Sequence, residues 1–263
     1  MIERIRRKVL KECKQNPEYY HEIDVNRVQT DDYQIERFIT EYESEDRAYE
    51  EIIKTMKWKR EYGIHERNDQ YFPKEFYDLF DIEMHGKDRE GSHLHWESTK
   101  NLIKINDFIP LEQQFIAHRL EKLDSTAGRE GWTLVIDTQS TAISNVSLEM
   151  WKWKISLLQY FPQGMKRVLI VDLPWILNSI MKIIISFLSP KLRENVSFVK
   201  REQLQEYIDP DYIPLYLKGN REKRLFPEDI KPMSELTHLA LNEKQIENYT
   251  KKHQMMAKRS KSY

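Results

Sequence analysis

Two short apolar runs constrain this chain more than anything else in it. Trp132-Thr133-Leu134-Val135-Ile136-Asp137 and Arg167-Val168-Leu169-Ile170-Val171 are too short for ordinary helices, are β-branched-rich and lack the alternation of a half-wetted strand. They read as buried strands. Between them Leu148, Trp151, Ile155 and Leu158 recur at helical spacing behind a capping Ser147, and Phe161-Pro162 stops the run. Strand, helix and strand in that order predict a parallel pair joined by a right-handed crossover.

The rest of the pattern is arranged around that unit. Asp31 or Asp32 caps a helix bearing Ile35, Phe38, Ile39 and Tyr42, and a second helix carries Ala48, Tyr49, Ile52, Ile53 and Met56 through Trp58 to Gly63. These predict a small helical bundle. His93 to Trp96 and Asn101 to Ile105 read as short strands, with Gly86 and Gly91 in the turns before them, and residues 111 to 123 as a helix. Val196 to Val199 reads as a further strand, residues 201 to 208 as a short helix, and residues 234 to 258 as a polar helical run. The predicted division is 1–75 helical, 76–222 α/β, and 223–263 a charged, partly helical extension.

Trp175 to Leu188 is the oddest segment, with Lys182 as its one charge and apolar residues almost all round. As a helix it would rise about 21 Å, short of the roughly 30 Å needed to span a bilayer. It must be buried, lipid-facing, or both. A helix apolar around most of its circumference needs partners on both sides, and a core role and a lipid-contacting wall both satisfy that need.

Composition removes several function classes. With 263 residues, 42 Lys+Arg against 43 Asp+Glu, and one cysteine, the chain is long enough for a buried core and has no disulfide framework. A folded protein facing the cytosol is expected, and the charged start MIERIRRKVLKEC does not read as a signal peptide. Residues 1 to 14 carry six basic and two acidic side chains, and Lys251, Lys252, Lys258, Arg259 and Lys261 make the tail basic. Solvated, partly frayed ends explain this, and an anionic surface or a protein partner is the alternative. No nucleic-acid partner is expected.

Seven glycines supply neither a dinucleotide fingerprint nor a phosphate loop, and no nucleophile elbow is present. His93, His95 and Glu97 share a strand face, which suits a polar face better than a metal site lacking a third imidazole or thiolate. Asp137 and Asp172 end the two central strands, where ligands gather in α/β sheets, yet carboxylates there more often cap a turn. Trp151 fits the apolar stripe of its helix and Trp153 borders it. No cofactor, metal or catalytic residue is expected.

The order of these segments resembles the CRAL-TRIO, or Sec14-like, lipid-binding family over roughly residues 30 to 220. The stretch DDYQIERFITEYESEDRAYEEIIKTMKWKREYG resembles its helical N-terminal region, and HGKDREGSHLHW the hairpin that opens its lipid-binding domain. YFPQGMKRVLIVDLPWILNSIMKIIISFLSPKLRENVSF resembles the family's Tyr-Pro-Glu, strand, Asn-x-Pro-Trp, gate helix and Leu-Ser-Pro order, with Asp172 in the Asn position, a variant that looks especially like the family's motile sperm domain-containing branch. In DPDYIPLYLKG, Gly219 stands for the first glycine of the family's closing motif and Asn220 replaces the second.

The resemblance implies an α/β domain with an apolar cavity closed by a gate helix, here Trp175 to Leu188. It also implies non-enzymatic binding of a hydrophobic small molecule, a phospholipid above all, with transient membrane contact and transfer. On that basis Phe161, Trp175, Ile180, Ile184 and Phe187 are the candidate wall or gate contacts, and Lys182, Lys191 and Arg193 the candidate headgroup or membrane contacts. Core packing and a solvated basic edge compete for each. The family's phosphoinositide-binding residues depart here: its glutamate is Gln163, its threonine and lysine match Leu192 and Asn195, and its Arg-Lys pair matches Tyr42 and Glu43. A different headgroup follows. The alternative is a membrane-proximal interaction or regulatory module that transfers nothing.

Overall fold

Four helices lead the chain: α1 (Ile2–Gln15), α2 (Glu22–Thr30), α3 (Tyr33–Tyr42) and α4 (Glu45–Tyr62). The computed structural model describes residues 1–80, 82–102, 104–222 and 227–260. Asp31 Oδ1 accepts a hydrogen bond from Tyr33 N before α3, and Ser44 Oγ accepts from Arg47 N before α4. Gly63 closes α4 at φ +64°, a conformation that suits a residue without Cβ. The basic N-terminus is a packed helix, because Ile5, Val9 and Cys13 bury one face of α1 against Ile35, Phe38 and Ile52. It does not fray. Burial pushes the Cys13 thiol up to about 11, so it stays protonated at neutral pH.

After α5 (Lys74–Phe80) the chain enters the sheet with β1 (Glu83–Lys87) and β2 (His93–Ser98). It continues through α6 (Ile109–Ala127), β3 (Trp132–Asp137), α7 (Leu148–Ser156), β4 (Met165–Val171), α8 (Asn178–Ser186), α9 (Pro190–Glu194) and β5 (Val196–Val199). Strand order follows chain order; β2 to β5 are parallel and β1 is antiparallel to β2. One face carries Leu94, Trp96, Val135, Leu169 and Val171, covered by Leu204, Ile208, Ile213 and Leu217. The other carries Trp132, Ile136, Val168 and Ile170, covered by α6, α7 and α8. Both faces are dry, which is why the central strands lack alternation.

Several elements differ from their reading in sequence. Asn101 to Ile105 is not a strand over its described residues, and Ile103 lies outside them. That segment runs beyond the sheet edge, where Asn145 Nδ2 donates to Leu102 O and Ile105 joins a core of Phe72, Phe76, Phe108 and Phe115. Gly86 sits inside β1 at φ +81° instead of in a turn, and a Cβ there would meet the Tyr212 ring at 2.5 Å. Residues 201–206 form 3-10 turns, and among the described residues three further 3-10 turns, Leu215–Leu217, Met233–Glu235 and Thr237–Leu239, precede α10 (Glu243–Ser260). Met233 and Tyr249 from this last segment are buried in the same core as α5 and α6. Of the basic tail, Lys251 and Lys252 are exposed on α10, and Lys261 with the side chains of Lys258 and Arg259 lies outside the described residues.

Candidate functional site

Pro174 leads into a 3-10 turn, Trp175–Leu177, and then into α8, so the apolar segment is a turn plus a nine-residue helix and not one continuous helix. Its inward stripe is Leu177, Met181, Ile184 and Leu188, all buried. Against the sheet this stripe encloses an apolar cavity of about 80 Å³. Trp132, Leu134, Ile136, Val168 and Ile170 form its floor, Trp151, Ile155 and Leu158 of the α7 region one wall, and Met181, Ile184, Ile185 and Leu188 the other. A void of roughly 150 Å³ is what accommodates a benzene-sized guest. An acyl chain therefore enters only if a wall moves outward, and α8 is the wall with the least cover.

The sequence-derived wall residues occupy different places. Ile184 lines the cavity and is 4% exposed. Ile180 and Phe187 are half-buried beside it, and Trp175 is 82% exposed at the start of the segment. Phe161 is buried edge-on to Trp58 and lines an adjoining pocket. The inward stripe shares Ile184 with the sequence-derived set and lies one position on from Ile180 and Phe187. Met181, Ile185 and Leu188 were missed, although the helical spacing from Leu177 to Leu188 carries the signal.

Among the cations, Lys182 and Lys191 are exposed, with Lys191 Nζ 3.4 Å from Gln163 Oε1. Arg193 instead donates from Nε to Leu188 O at 2.9 Å and from Nη2 to Ser186 O at 2.7 Å. The adjoining pocket, about 100 Å³, shares Leu158 and Met165 with the apolar cavity and adds Lys166, Ser189, Lys191, Asn195 and Glu41. Pairing of β3 with β4 shifts register between Trp132–Met165 and Thr133–Arg167, and Lys166 is the residue left over. A bulge of this kind re-aims a side chain, here into the pocket mouth. Burial, then Arg37 and Lys191, push the Lys166 ammonium below the ordinary lysine range.

The cavity floor has one polar station. His95 faces it, and Glu97 on the same strand face is paired with Lys154 of α7. Burial, then Lys154 and Arg119, hold the His95 imidazole well below its usual pKa, so it is neutral, and its Nδ1 has no partner among the described residues. His93 turns away to Glu130 at 2.9 Å. Asp137 accepts from Gln139 N and Asp172 pairs with Arg201, so each caps a loop; burial raises the Asp137 carboxyl. Among the described residues the ligand-capable groups that cluster are Asp24, His65 and Glu121; Asp24 and Glu121 already pair with Lys59, Glu121 also with Arg27, and His65 bonds Asp24.

A second pocket of about 260 Å³ lies across Trp151 and Lys154 from the apolar cavity, and Glu112 of α6 lines it. Burial pushes the Glu112 carboxyl up to about 7, and its hydroxyl partner is Tyr249 of α10 at 3.4 Å. A raised folded-state value means that this group stabilises the neutral form: the contribution is complete below the unfolded value near 4.3 and is lost as pH rises through about 7. Glu112→Gln is expected to remove that decline, worth on the order of 3 kcal/mol. Urea midpoints at mildly acid and mildly alkaline pH check it. An unchanged pH slope would refute the assignment.

Residues 82–219 match the CRAL/TRIO domain family. The chain belongs to that family. This CRAL/TRIO chain is also 21% identical over 193 residues to Patellin-5 of Arabidopsis thaliana, a match covering 65% of the chain and 29% of that longer relative. It superimposes on the crystal structure of Sfh5 with a TM-score of 0.66 at 14% identity, over 93% of this chain and 96% of that one, a likeness of fold. The mostly parallel five-stranded sheet and the N-terminal helices agree with the α/β class expected from sequence. Among the described residues of this CRAL/TRIO chain, no helix is long and apolar enough to cross a membrane.

Proposed function

We propose that this CRAL/TRIO chain binds a phospholipid or a similar long apolar molecule behind α8 and exchanges it with membranes, without catalysis. The observation that carries this reading is the cavity itself: an almost wholly apolar interior closed on one side by a nine-residue helix that keeps Ile183 and, just before it, Trp175 and Ile176 in solvent. Such exposed apolar residues favour a bilayer interface. Outward movement of α8 exchanges its cover over the sheet for contact with lipid. Each buried methylene of a guest chain contributes about 0.8 kcal/mol.

In this reading the phosphate lies beside Lys166 and Lys191, with the chain extending past Leu158 and Met165. Glu41, which accepts from Gln163 Nε2, disfavours a headgroup with further phosphates. The Asp172-to-Trp175 turn supports kinship with the motile sperm domain-containing branch of the family. The proposed setting is the cytoplasm with transient contact to intracellular membranes.

Native mass spectrometry of cell-expressed protein is the test, followed by extraction and vesicle-to-vesicle transfer. A reproducible lipid mass that moves between vesicles is expected, and Lys166→Ala with Lys191→Ala is expected to lower its occupancy about tenfold, the worth of one charge-assisted contact. The second reading, a module that transfers nothing, rests on how little space the closed form encloses. An empty domain that stays empty beside vesicles would favour it.

A further inference from the structure

We infer that Arg193 is a latch on the C-terminal end of α8 that anionic lipid headgroups release. The inference rests on the proposed movement of α8 but concerns what controls it. A helix ends with carbonyls that have no intrahelical partner. Here Phe187 N bonds Ile184 O and Leu188 N bonds Ile185 O, which tightens the last turn and leaves Ser186 O and Leu188 O pointing out. Arg193 takes both. A guanidinium at this place also complements the negative end of the helix dipole.

The chain is built to bring that guanidinium round. Ser189 Oγ accepts from Leu192 N and Pro190 starts α9, so the chain reverses within a few residues and Arg193 N bonds Ser189 O. The clamp therefore fixes Leu188, a cavity-lining residue, just past the C-terminal end of the wall helix. Its strength is limited by its partners. Two neutral carbonyls accept weaker bonds than phosphate oxygens, and a guanidinium matches phosphate in a bidentate fork.

Arg193 is exposed and has no carboxylate among its hydrogen-bond or ion-pair partners in the described residues, and Lys182 and Lys191 of the same stretch of chain are exposed cations. Glu194 is the acidic residue beside it. Approach of an anionic bilayer offers phosphates at a surface that concentrates them, and Arg193 exchanges the Ser186 and Leu188 carbonyls for phosphate oxygens. The last turn of α8 then loses its clamp while its N-terminal side, entered from Pro174, is untouched. Contact with the membrane and opening of the wall become one event.

Hydrogen exchange of the peptide spanning residues 181–188 reads the latch directly, in the full chain. With phosphatidylcholine vesicles alone the wild type should stay protected, and vesicles containing phosphatidylserine should raise exchange there about tenfold, the scale of losing one charge-assisted bond. Arg193→Gln should show the raised exchange without vesicles and no further response, with β3 and β4 protected as in the wild type. Arg193→Lys, which cannot hold two carbonyls at once, should fall between. Wild-type-like protection and lipid response in Arg193→Gln would overturn the latch. Equal release by inorganic phosphate at matched phosphate concentration would overturn its assignment to a lipid surface. These outcomes are independent of whether lipid is carried, which the mass measurement decides.

Discussion

Ile184→Asp is expected to abolish lipid uptake, by at least about tenfold, while leaving the sheet folded. Ile184 is 4% exposed and lines the cavity from α8, so an aspartate there places a carboxylate in an apolar lining whose cation, Lys154, is already paired with Glu97. Burying that charge unpaired costs several kcal/mol. The chain has a cheaper solution than unfolding: α8 is short, has no strand to pair with, and swings into water. A closed, lipid-filled state then has no place for the side chain. Ile184→Val keeps the shape nearly intact and should cost only about 0.5–1.5 kcal/mol with uptake preserved. Native mass spectrometry and a urea curve on the same preparations separate the effects. If uptake and the unfolding midpoint fall together, the residue is a structural core position and the mobile wall is lost as an idea.

What could be read beforehand follows from where the constraint lay. Trp132 to Asp137 and Arg167 to Val171 were legible because a strand buried on both faces needs only apolar side chains, and no other element of that length does. β1 was hidden from the residue pattern, since Glu83-Met84-His85-Gly86-Lys87 pairs on one side only, and its glycine makes room for Tyr212. Asn101 to Ile105 failed the opposite way: it is short and apolar enough for a strand, but the pairing of β2 with β3 ends at Ser98 and Asp137. Local pattern reports what a segment would bury and not whether a partner is there.

The site was legible at the level of the segment and not of the side chain. Trp175 to Leu188 announced a helix needing two apolar neighbours, yet apolar residues almost all round it left open which stripe faces the sheet. The β4 bulge that turns Lys166 toward the pocket leaves no mark on the sequence, because a bulge is a property of the pairing. Arg193 was read from charge alone as a surface contact; its bonds to Ser186 O and Leu188 O required the reversal at Ser189-Pro190 to be seen in space.

The largest loss of stability is expected from Arg37→Ala. Arg37 of α3 is 3% exposed and makes a bidentate pair with Asp124 of α6 at 2.7 Å on both arms, while its Nε donates to Pro162 O at 2.7 Å. That one guanidinium joins the helical prelude, a sheet-covering helix and the turn that positions Gln163 and Lys166. Removing it strands the Asp124 carboxylate in a site with little water and leaves a carbonyl without a donor, at a cost of about 3–5 kcal/mol. Asp124→Ala alone strands the arginine and should cost about as much. The double variant Arg37→Met with Asp124→Leu leaves no buried charge and should recover most of the loss, since an apolar replacement of a buried pair is often near neutral. The nearby Lys59–Glu121 pair keeps the prelude attached in all three, so the sheet should unfold with an unchanged denaturant slope. Urea midpoints of the three variants decide the matter: a cost below about 1 kcal/mol for Arg37→Ala would mean that water reaches Asp124, and that the prelude is held to the sheet by apolar contact instead.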